Sequence, residues 1–172
     1  MNPTWSIQTG RLSLRPVWGG DLPELQVLKA DPRVFAVMLG GVRSPQQTAE
    51  ELAHDIQFWG RHGFGMWSVR ERQTEKFVGL VGLMHRADGR GIALRFALHA
   101  REQHHGYASE AAAGVLRFGH ERAHLRRIVG IARESNFGSR MVLGGIGMRI
   151  CEEFEREGLK MLVYESVRET AP

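Results

Sequence analysis

Residues Leu98 to Ala123 read LHAREQHHGYASEAAAGVLRFGHERA, and the rest of the chain is organised around them. The stretch opens on the end of an apolar strand, passes through the short polar segment Gln103-His104-His105-Gly106-Tyr107-Ala108, and enters a run of good helix formers. Ala111, Ala112, Val115, Leu116, Gly119 and Ala123 recur at helical spacing, so one face of that helix can be buried. A polar turn that ends at a helix start leaves several backbone N–H groups unpaired at the positive end of the helix dipole. Such a turn suits an anion, phosphate above all. Gly106 carries no Cβ to hold the anion away from the main chain.

The flanks supply strands and helices in an order that builds one mixed sheet. Arg11 to Val17 alternates in the manner of a half-buried strand, with Pro16 at its end. Asp21-Leu22-Pro23 opens a helix with Leu22, Leu25 and Leu28 on one stripe and Asp21 as its cap. A short turn starts at Asp31-Pro32. Ser44-Pro45-Gln46-Gln47 has a capping-box signature, and the helix behind it carries Leu52, Ile56 and Trp59 before ending near Gly60 or Gly63. Phe64–Glu71 and Phe77–His85 read as strands, the second with Gly79 and Gly82 marking a bulge or a close backbone approach. Asp88-Gly89 turns the chain into the strand Ile92–His99, with Leu94, Phe96 and Leu98 on one face. Ile128–Ala132 is short and apolar like a buried parallel strand. Asn136 begins a helix that closes at Gly144-Gly145-Ile146-Gly147, and residues 149–156 and 159–168 form a hairpin about Glu157-Gly158. Strand, helix and strand from 92 to 132 make a βαβ unit. The expected fold is α/β: a single domain over residues 1–172, with a mixed, mostly antiparallel sheet of about seven strands and helices on both faces.

Composition narrows the function classes. The chain has 172 residues, of which 42% are hydrophobic and 24% charged, a globular balance. No apolar run approaches the ~20 residues that span a bilayer, and the opening Met1-Asn2-Pro3-Thr4-Trp5 has neither the basic stretch nor the apolar core of a signal peptide. The single Cys151 cannot form an internal disulfide, so the expected setting is cytoplasmic. Its expected place is as a small buried hydrophobe, not a nucleophile. Net charge is +4, with arginines scattered along the chain and no basic run interleaved with aromatics, which argues against nucleic acid as partner. The histidines lack a ligand spacing backed by acids or cysteines, so no metal is expected.

Gln103-His104-His105-Gly106-Tyr107-Ala108 resembles the coenzyme loop of the GNAT superfamily of N-acetyltransferases. Gly106-Tyr107-Ala108-Ser109-Glu110-Ala111 is similar to that family's helix opening. Asn136-Phe137-Gly138-Ser139 with Gly147-Met148 resembles its later Asn-x-x-Ser and Gly-Met segment. Thr9-Gly10-Arg11-Leu12-Ser13-Leu14-Arg15-Pro16 is similar to the first strand of the branch that acetylates ribosomal-protein N-termini. The resemblance runs from about residue 9 to about residue 168. It implies acetyl-CoA as co-substrate, a primary amine as acceptor (a protein N-terminus or a small molecule), and strands near 92–98 and 128–132 that part at one end to admit the pantetheine arm. A homodimer is left open.

The same resemblance distributes the roles. Backbone N–H groups from His104 through His105, Gly106, Tyr107 and Ala108 to Ser109 would hold the pyrophosphate, with Gln103 shaping the loop. Leu98 and Ala100 would offer main-chain groups to the pantetheine and the thioester. Asn136 would touch the coenzyme as well as cap its helix, and Ser139 and Arg140, one turn on, would address the same ligand. Acyl transfer to an amine also needs a proton acceptor and a donor for the leaving thiolate. The family's general-acid Tyr falls at Leu143 here, and Ser139 is the substitute. Its general-base Glu falls at Ala93, leaving His85 as the expected base among His85, His99, His104 and His105. Glu110 is expected to serve the helix dipole. Phe58, Trp59, Phe64, Met66 and Trp67 read as core or as a wall of the acceptor pocket. Ala93 and Leu143 keep open an alternative, a catalytically weak or inactive acyl-CoA-binding or sensing protein of the same fold.

Overall fold

Alternating burial along Leu12–Pro16 sets the first long strand of a sheet that the computed structural model describes within residues 2–168. In chain order the strands are β1 (Ile7–Gln8), β2 (Leu12–Pro16), β3 (Met66–Glu71), β4 (Phe77–His85), β5 (Ile92–Leu98), β6 (Arg127–Arg133), β7 (Arg149–Arg156) and β8 (Leu159–Val167). The helices are α1 (Leu22–Ala30), α2 (Pro32–Phe35), α3 (Pro45–His62), α4 (Tyr107–Glu121) and α5 (Phe137–Gly145). All eight strands form one sheet in the order β1-β2-β3-β4-β5-β6-β8-β7. Only β5 and β6, joined through α4, run parallel. The strand beyond the expected seven is β1, two residues paired to β2 at Ile7–Leu14, too short to display an alternation in sequence.

Register fixes which side chains share a face. Gly119 of α4 faces Leu83 of β4 and Ile128 of β6, and Gly130 of β6 faces Leu143 of α5. The alternate residues of β4 and β5 (Leu80, Gly82 and Met84 opposite Ala97, Arg95 and Ala93) therefore look to the other face, toward α1 and α3. The helices accordingly lie on both faces. Residue Ser44 caps α3 through the N–H of Gln47, and Gly63 ends the helix in the left-handed conformation at φ 68°.

Several local expectations change in the fold. Asp21 precedes α1 without capping it; its carboxylate is fully buried and accepts from the Trp18 N–H (3.1 Å) and the Arg15 guanidinium (2.7 Å), with Arg70 at 3.3 Å. A buried charge flanked by two arginines is better served there than by a helix end. Ile56 does not join Leu52 and Trp59 inside but is 40% exposed. Cys151 is exposed on β7, because that strand closes the sheet with no strand beyond it. The aromatic residues Phe58, Trp59, Phe64 and Trp67 belong to the core. No helix among the described residues is long and apolar enough to cross a membrane.

Both readings of the β4 glycines hold. The β3–β4 register shifts between Val69 and Arg70, so Val78 is the extra residue of a bulge, and a Cβ on Gly79 would run into the Ala97 carbonyl oxygen and lie 2.7 Å from the Leu98 Cα. Gly79→Ala must push the end of β5 away from β4. It is expected to lower unfolding free energy by about 1–3 kcal/mol in urea titrations and to weaken acetyl-CoA binding as well. A variant with native stability and affinity would show that β5 has slack at this point.

Candidate active site

Polar residues before α4 make a loop whose main chain is bent by two left-handed residues, His104 (φ 65°) and Gly106 (φ 78°). A 3-10 turn, Ala100–Glu102, leads into it, and Gln103 Nε2 donates back to the Leu98 carbonyl at 3.3 Å. Gln103 thus ties the loop to the strand end. Among the described residues, no acceptor is found for the backbone N–H of His104, His105, Gly106, Tyr107, Ala108 or Ser109, and no side chain caps α4. The His105 carbonyl is held by Arg11 Nη1 at 2.8 Å, and the Tyr107 hydroxyl donates to Glu71 at 3.0 Å. The first turn of α4 also carries Glu110. Its carboxylate accepts from Thr9 Oγ1 (2.5 Å), the Arg11 N–H (2.7 Å) and Arg11 Nε (2.7 Å). Glu110 therefore anchors the N-terminal segment to the loop, a bond across 101 residues that helix-dipole reasoning did not anticipate.

The strand that feeds this loop is half unpaired. Seven residues of β5, Ile92 to Leu98, pair with β4, whereas its pairing with β6 is the one match Ala93–Val129. The His99 N–H donates to the Val78 carbonyl, so by alternation Ala97, Arg95 and Ala93 bond toward β4. The main-chain groups of Phe96 and the N–H of Leu98 point instead into the gap left by β6. Leu98 was anticipated from sequence; Phe96 was not. Ala100, the other residue expected to present its main chain, lies in the 3-10 turn, where its carbonyl accepts from the Gln103 N–H.

A cavity of about 650 Å³ opens from this gap to α1 and α3, and it brings together His85, Phe96, Ala97, Asn136 and Ser139. Residues 98–109 do not line it. Asn136 Oδ1 caps α5 by accepting from the Ser139 N–H at 3.1 Å, and neither its amide nitrogen nor the Ser139 hydroxyl has a hydrogen-bond partner among the described residues. The Arg140 guanidinium turns to the Glu134 carbonyl (2.8 Å) and the Tyr164 hydroxyl (3.5 Å) and is absent from the cavity wall. His85, at the exposed end of β4, stacks edge-on against Phe58 (5.6 Å) and His62 (5.1 Å). Of the aromatic and Met stripe near the start of β3, only Met66 reaches the cavity. Ala93 and Leu143 are both buried.

Charged residues that sequence reasoning passed over surround the far end of the cavity. Glu51 of α3 bonds Lys29 Nζ of α1 (2.6 Å) and Arg43 Nε (2.5 Å). Burial pushes the Glu51 carboxyl up, but these two cations more than reverse it and the net shift is downward. Asp55, one turn along α3, has the His54 ring at 3.8 Å as its one ion-pair contact among the described residues; burial raises its pKa, reinforced by Glu51 and opposed by Lys29, His54 and Arg95. Arg95 of β5 stands accessible in the cavity, yet the walls withdraw enough water to lower its pKa, aided by Arg86. A signal for Arg95 existed in the sequence, a charge interrupting the apolar run Ile92–Leu98. Asp55 had none, since polar residues on α3 look alike until α1 covers some of them. Among the described residues, no group of three or more His, Cys, Asp or Glu could hold a metal ion.

The family described as Acetyltransferase (GNAT) domain matches residues 11–149. Among solved structures, an acetyltransferase from Agrobacterium tumefaciens superposes with a TM-score of 0.83 at 26% identity, covering 95% of this chain and 94% of that one. A Salmonella typhimurium acetyl transferase that modifies the N-terminal serine of ribosomal protein L7/L12 gives 0.81 at 17% identity over 95% and 99%. A spermidine N-acetyltransferase from Vibrio cholerae, in complex with CoA and spermine, gives 0.75 at 16% over 91% and 95%.

Glu110 makes the loop's anchorage sensitive to acid. Burial pushes its carboxyl up, but bonds from Thr9, the Arg11 N–H and the Arg11 guanidinium leave it lowered. A carboxylate with a lowered folded pKa contributes stability that is complete above its unfolded value and is lost as pH falls through the folded one. Thermal unfolding of wild type should lose stability below about pH 4, and Glu110→Gln should flatten that acid limb. Superimposable profiles would show that Glu110 contributes nothing to the docking.

Proposed function

The chain belongs to the GNAT acetyltransferase family, which uses acetyl-CoA, and from that premise we propose that it acetylates a primary amine, a protein N-terminus or a small-molecule amine, by direct attack in a ternary complex. One acetyltransferase domain accounts for the chain on this reading. The same reading places it in the cytoplasm, an inference supported by the lone Cys151, which has no partner for an internal disulfide.

The observation that carries the reading is the row of free backbone donors from His104 to Ser109 at the end of a strand parted from its parallel neighbour. Six consecutive N–H groups without an acceptor among the described residues, at a helix start, fit a diphosphate. The unpaired main-chain groups of Phe96 and Leu98 fit the amides of a pantetheine arm, since buried peptide groups need partners. The residues present therefore fit acetyl-CoA. When bound, it supplies an acyl carbon to which the amine nitrogen bonds while the C–S bond breaks and the sulfur departs as coenzyme thiol.

The side chains that line the cavity divide the proton traffic. His85 receives the proton that the amine must shed, directly or through water, its ring held in place by Phe58 and His62. The Ser139 hydroxyl donates toward the departing sulfur from a turn fixed by Asn136. Asn136 offers its free amide to the coenzyme. Arg140, bonded to Glu134 and Tyr164, contributes by bracing α5, where sequence had suggested direct contact with the ligand. Holding amine and thioester side by side supplies much of the rate, so a hydroxyl of modest acidity suffices.

The apolar residues at Ala93 and Leu143 favour a second reading, a protein that binds acyl-CoA without turning it over. Release of free coenzyme A on adding amines to protein and acetyl-CoA separates the two, since a pure binder shows a melting shift with acetyl-CoA and no thiol release. Ser139→Ala is expected to lower kcat by about 10²-fold with little change in the KM for acetyl-CoA. Equal kcat would remove Ser139 from the reaction. Gly106→Asp, which places a carboxylate among the free donors at φ 78°, should weaken acetyl-CoA binding by about 100-fold or more while the domain still melts cooperatively. Calorimetric titration giving native affinity would refute the loop as the diphosphate site.

A further inference from the structure

Charged groups around the cavity sort into those already neutralised by a neighbour and those left for a ligand. Lys29 and Arg43 are paired to Glu51, and Arg86 to Asp88. Arg95 makes no ion pair and no side-chain hydrogen bond among the described residues, although it stands mid-strand in a wall built of Leu80, Met84 and Ala97. A guanidinium carries five donors, and those of Arg95, exposed to the cavity, have no protein acceptor among the described residues and are open to a ligand. Asp55, on the helix facing it, has no lysine or arginine within ion-pair reach among the described residues, only the His54 ring. Arg95 and Asp55 each favour the other's charged form, yet they form no ion pair. The space between them is where a ligand with both charges fits.

We propose that the acceptor is a small zwitterion of the amino-acid class, whose carboxylate is taken by the Arg95 guanidinium and whose ammonium is taken by the Asp55 carboxylate. The assignment rests on the acetyl transfer proposed above and names its substrate class. Arg95 lies two residues beyond Ala93, the last point of contact between β5 and β6, so it is held at the mouth of the gap through which the thioester must arrive. A planar fork on a rigid strand is suited to a carboxylate, which it can grip with two parallel bonds. Asp55 would hold the amine on the α3 side until its proton leaves toward His85, which lines the same cavity. Arg133 of β6 and Arg156 of β7 also line the cavity without an ion pair among the described residues. Glu50 lines it too, likewise without an ion pair among the described residues, so three guanidiniums stand against the carboxylates of Asp55 and Glu50 and the excess is cationic. An acceptor that carries an anionic group beside its amine is the complement.

Steady-state thiol release with acetyl-CoA, using the common amino acids, their carboxamides, spermidine and short peptides as acceptors, tests the assignment. At least one amino acid should exceed its own carboxamide in kcat/KM by about tenfold or more, the range of a charge-assisted hydrogen bond. Arg95→Gln should erase that ratio mainly through the KM of the amino acid, Arg95→Lys should retain part of it, and Asp55→Asn should depress amino acid and carboxamide alike. The idea is overturned if carboxamides, spermidine or peptides serve as well as the amino acids, if Arg95→Gln keeps the ratio, or if no amino acid is acetylated. The melting shift of each protein with acetyl-CoA tells the two levels apart. A wild type that shifts but shows no preference for amino acids loses only the zwitterion, whereas one that fails to shift loses the acetyl-transfer reading along with it.

Discussion

One backbone match, Ala93 against Val129, is all that joins β5 to β6, and the site depends on its being only one. Were the two strands paired along their length, the main-chain groups of Phe96 and Leu98 would be satisfied within the sheet and no ligand could reach them. The parting is held from several directions. On the far side β5 is fastened to β4 over its whole length, and Gly79 lets it approach so closely that no Cβ fits between. On the near side β6 is fastened to β8 from Arg127 to Arg133. Each strand is committed to its antiparallel neighbour, so the parallel junction can open without loosening the sheet. Unmet peptide groups in such an opening are a standing demand for partners, and a ligand with amides along its length answers it.

Much of this was legible in sequence because the local signals are backbone signals. A capping box at Ser44, alternation at Leu12–Pro16 and the polar turn before Tyr107 each reflect chemistry within a few residues. The glycines in β4 announced a bulge and a close approach, and both occur. What sequence could not convey was where a charged side chain ends up. Asp21 looked like a cap and became the buried counter-ion of Arg15 and Arg70; Glu110 looked like a dipole partner and became a tether to Thr9 and Arg11. Arg15 is six residues from Asp21, but Arg70 is 49 away and Arg11 is 99 from Glu110, separations beyond any pattern of spacing. The acceptor end was the least legible, because Lys29, Arg43, Glu51 and Asp55 acquire their roles only once α1 and α3 are packed together.

Packing also decides which residues cannot do the chemistry. Ala93 lies in a small apolar cluster with Val129 and Val163, against Ile131 and Phe154. An ionised carboxylate there would lose its hydration with no cation in the cluster, so the small residue fits the one point where the two strands touch. Leu143 covers Gly130, and the two are matched: a Cβ at 130 would run into the leucine's own methyl groups. With Gly130 beneath it, Leu143 fills the floor of the gap, and neither it nor Ala93 can carry a proton.

Proton transfer must therefore be drawn from other elements, and the fold restricts which. Ser139 sits one turn before Leu143 on α5, close to the strand gap and presented by a capped helix start. His85 closes the β4 strand, and Asp55 and Arg95 face the cavity from α3 and β5. Helices α1 and α3 are joined through Lys29 and Glu51, one turn of α3 before Asp55. The sheet side is rigid by comparison, since Arg95 is locked in the β4–β5 ladder opposite Gly82. On the proposed reading an acceptor bound by Arg95 would lie against the sheet half of the site, beside the unpaired main-chain groups of Phe96 and Leu98. On the same reading the acceptor's carboxylate is taken from the sheet by Arg95 and its ammonium from α3 by Asp55, so the two charges are read by two separate elements of the fold.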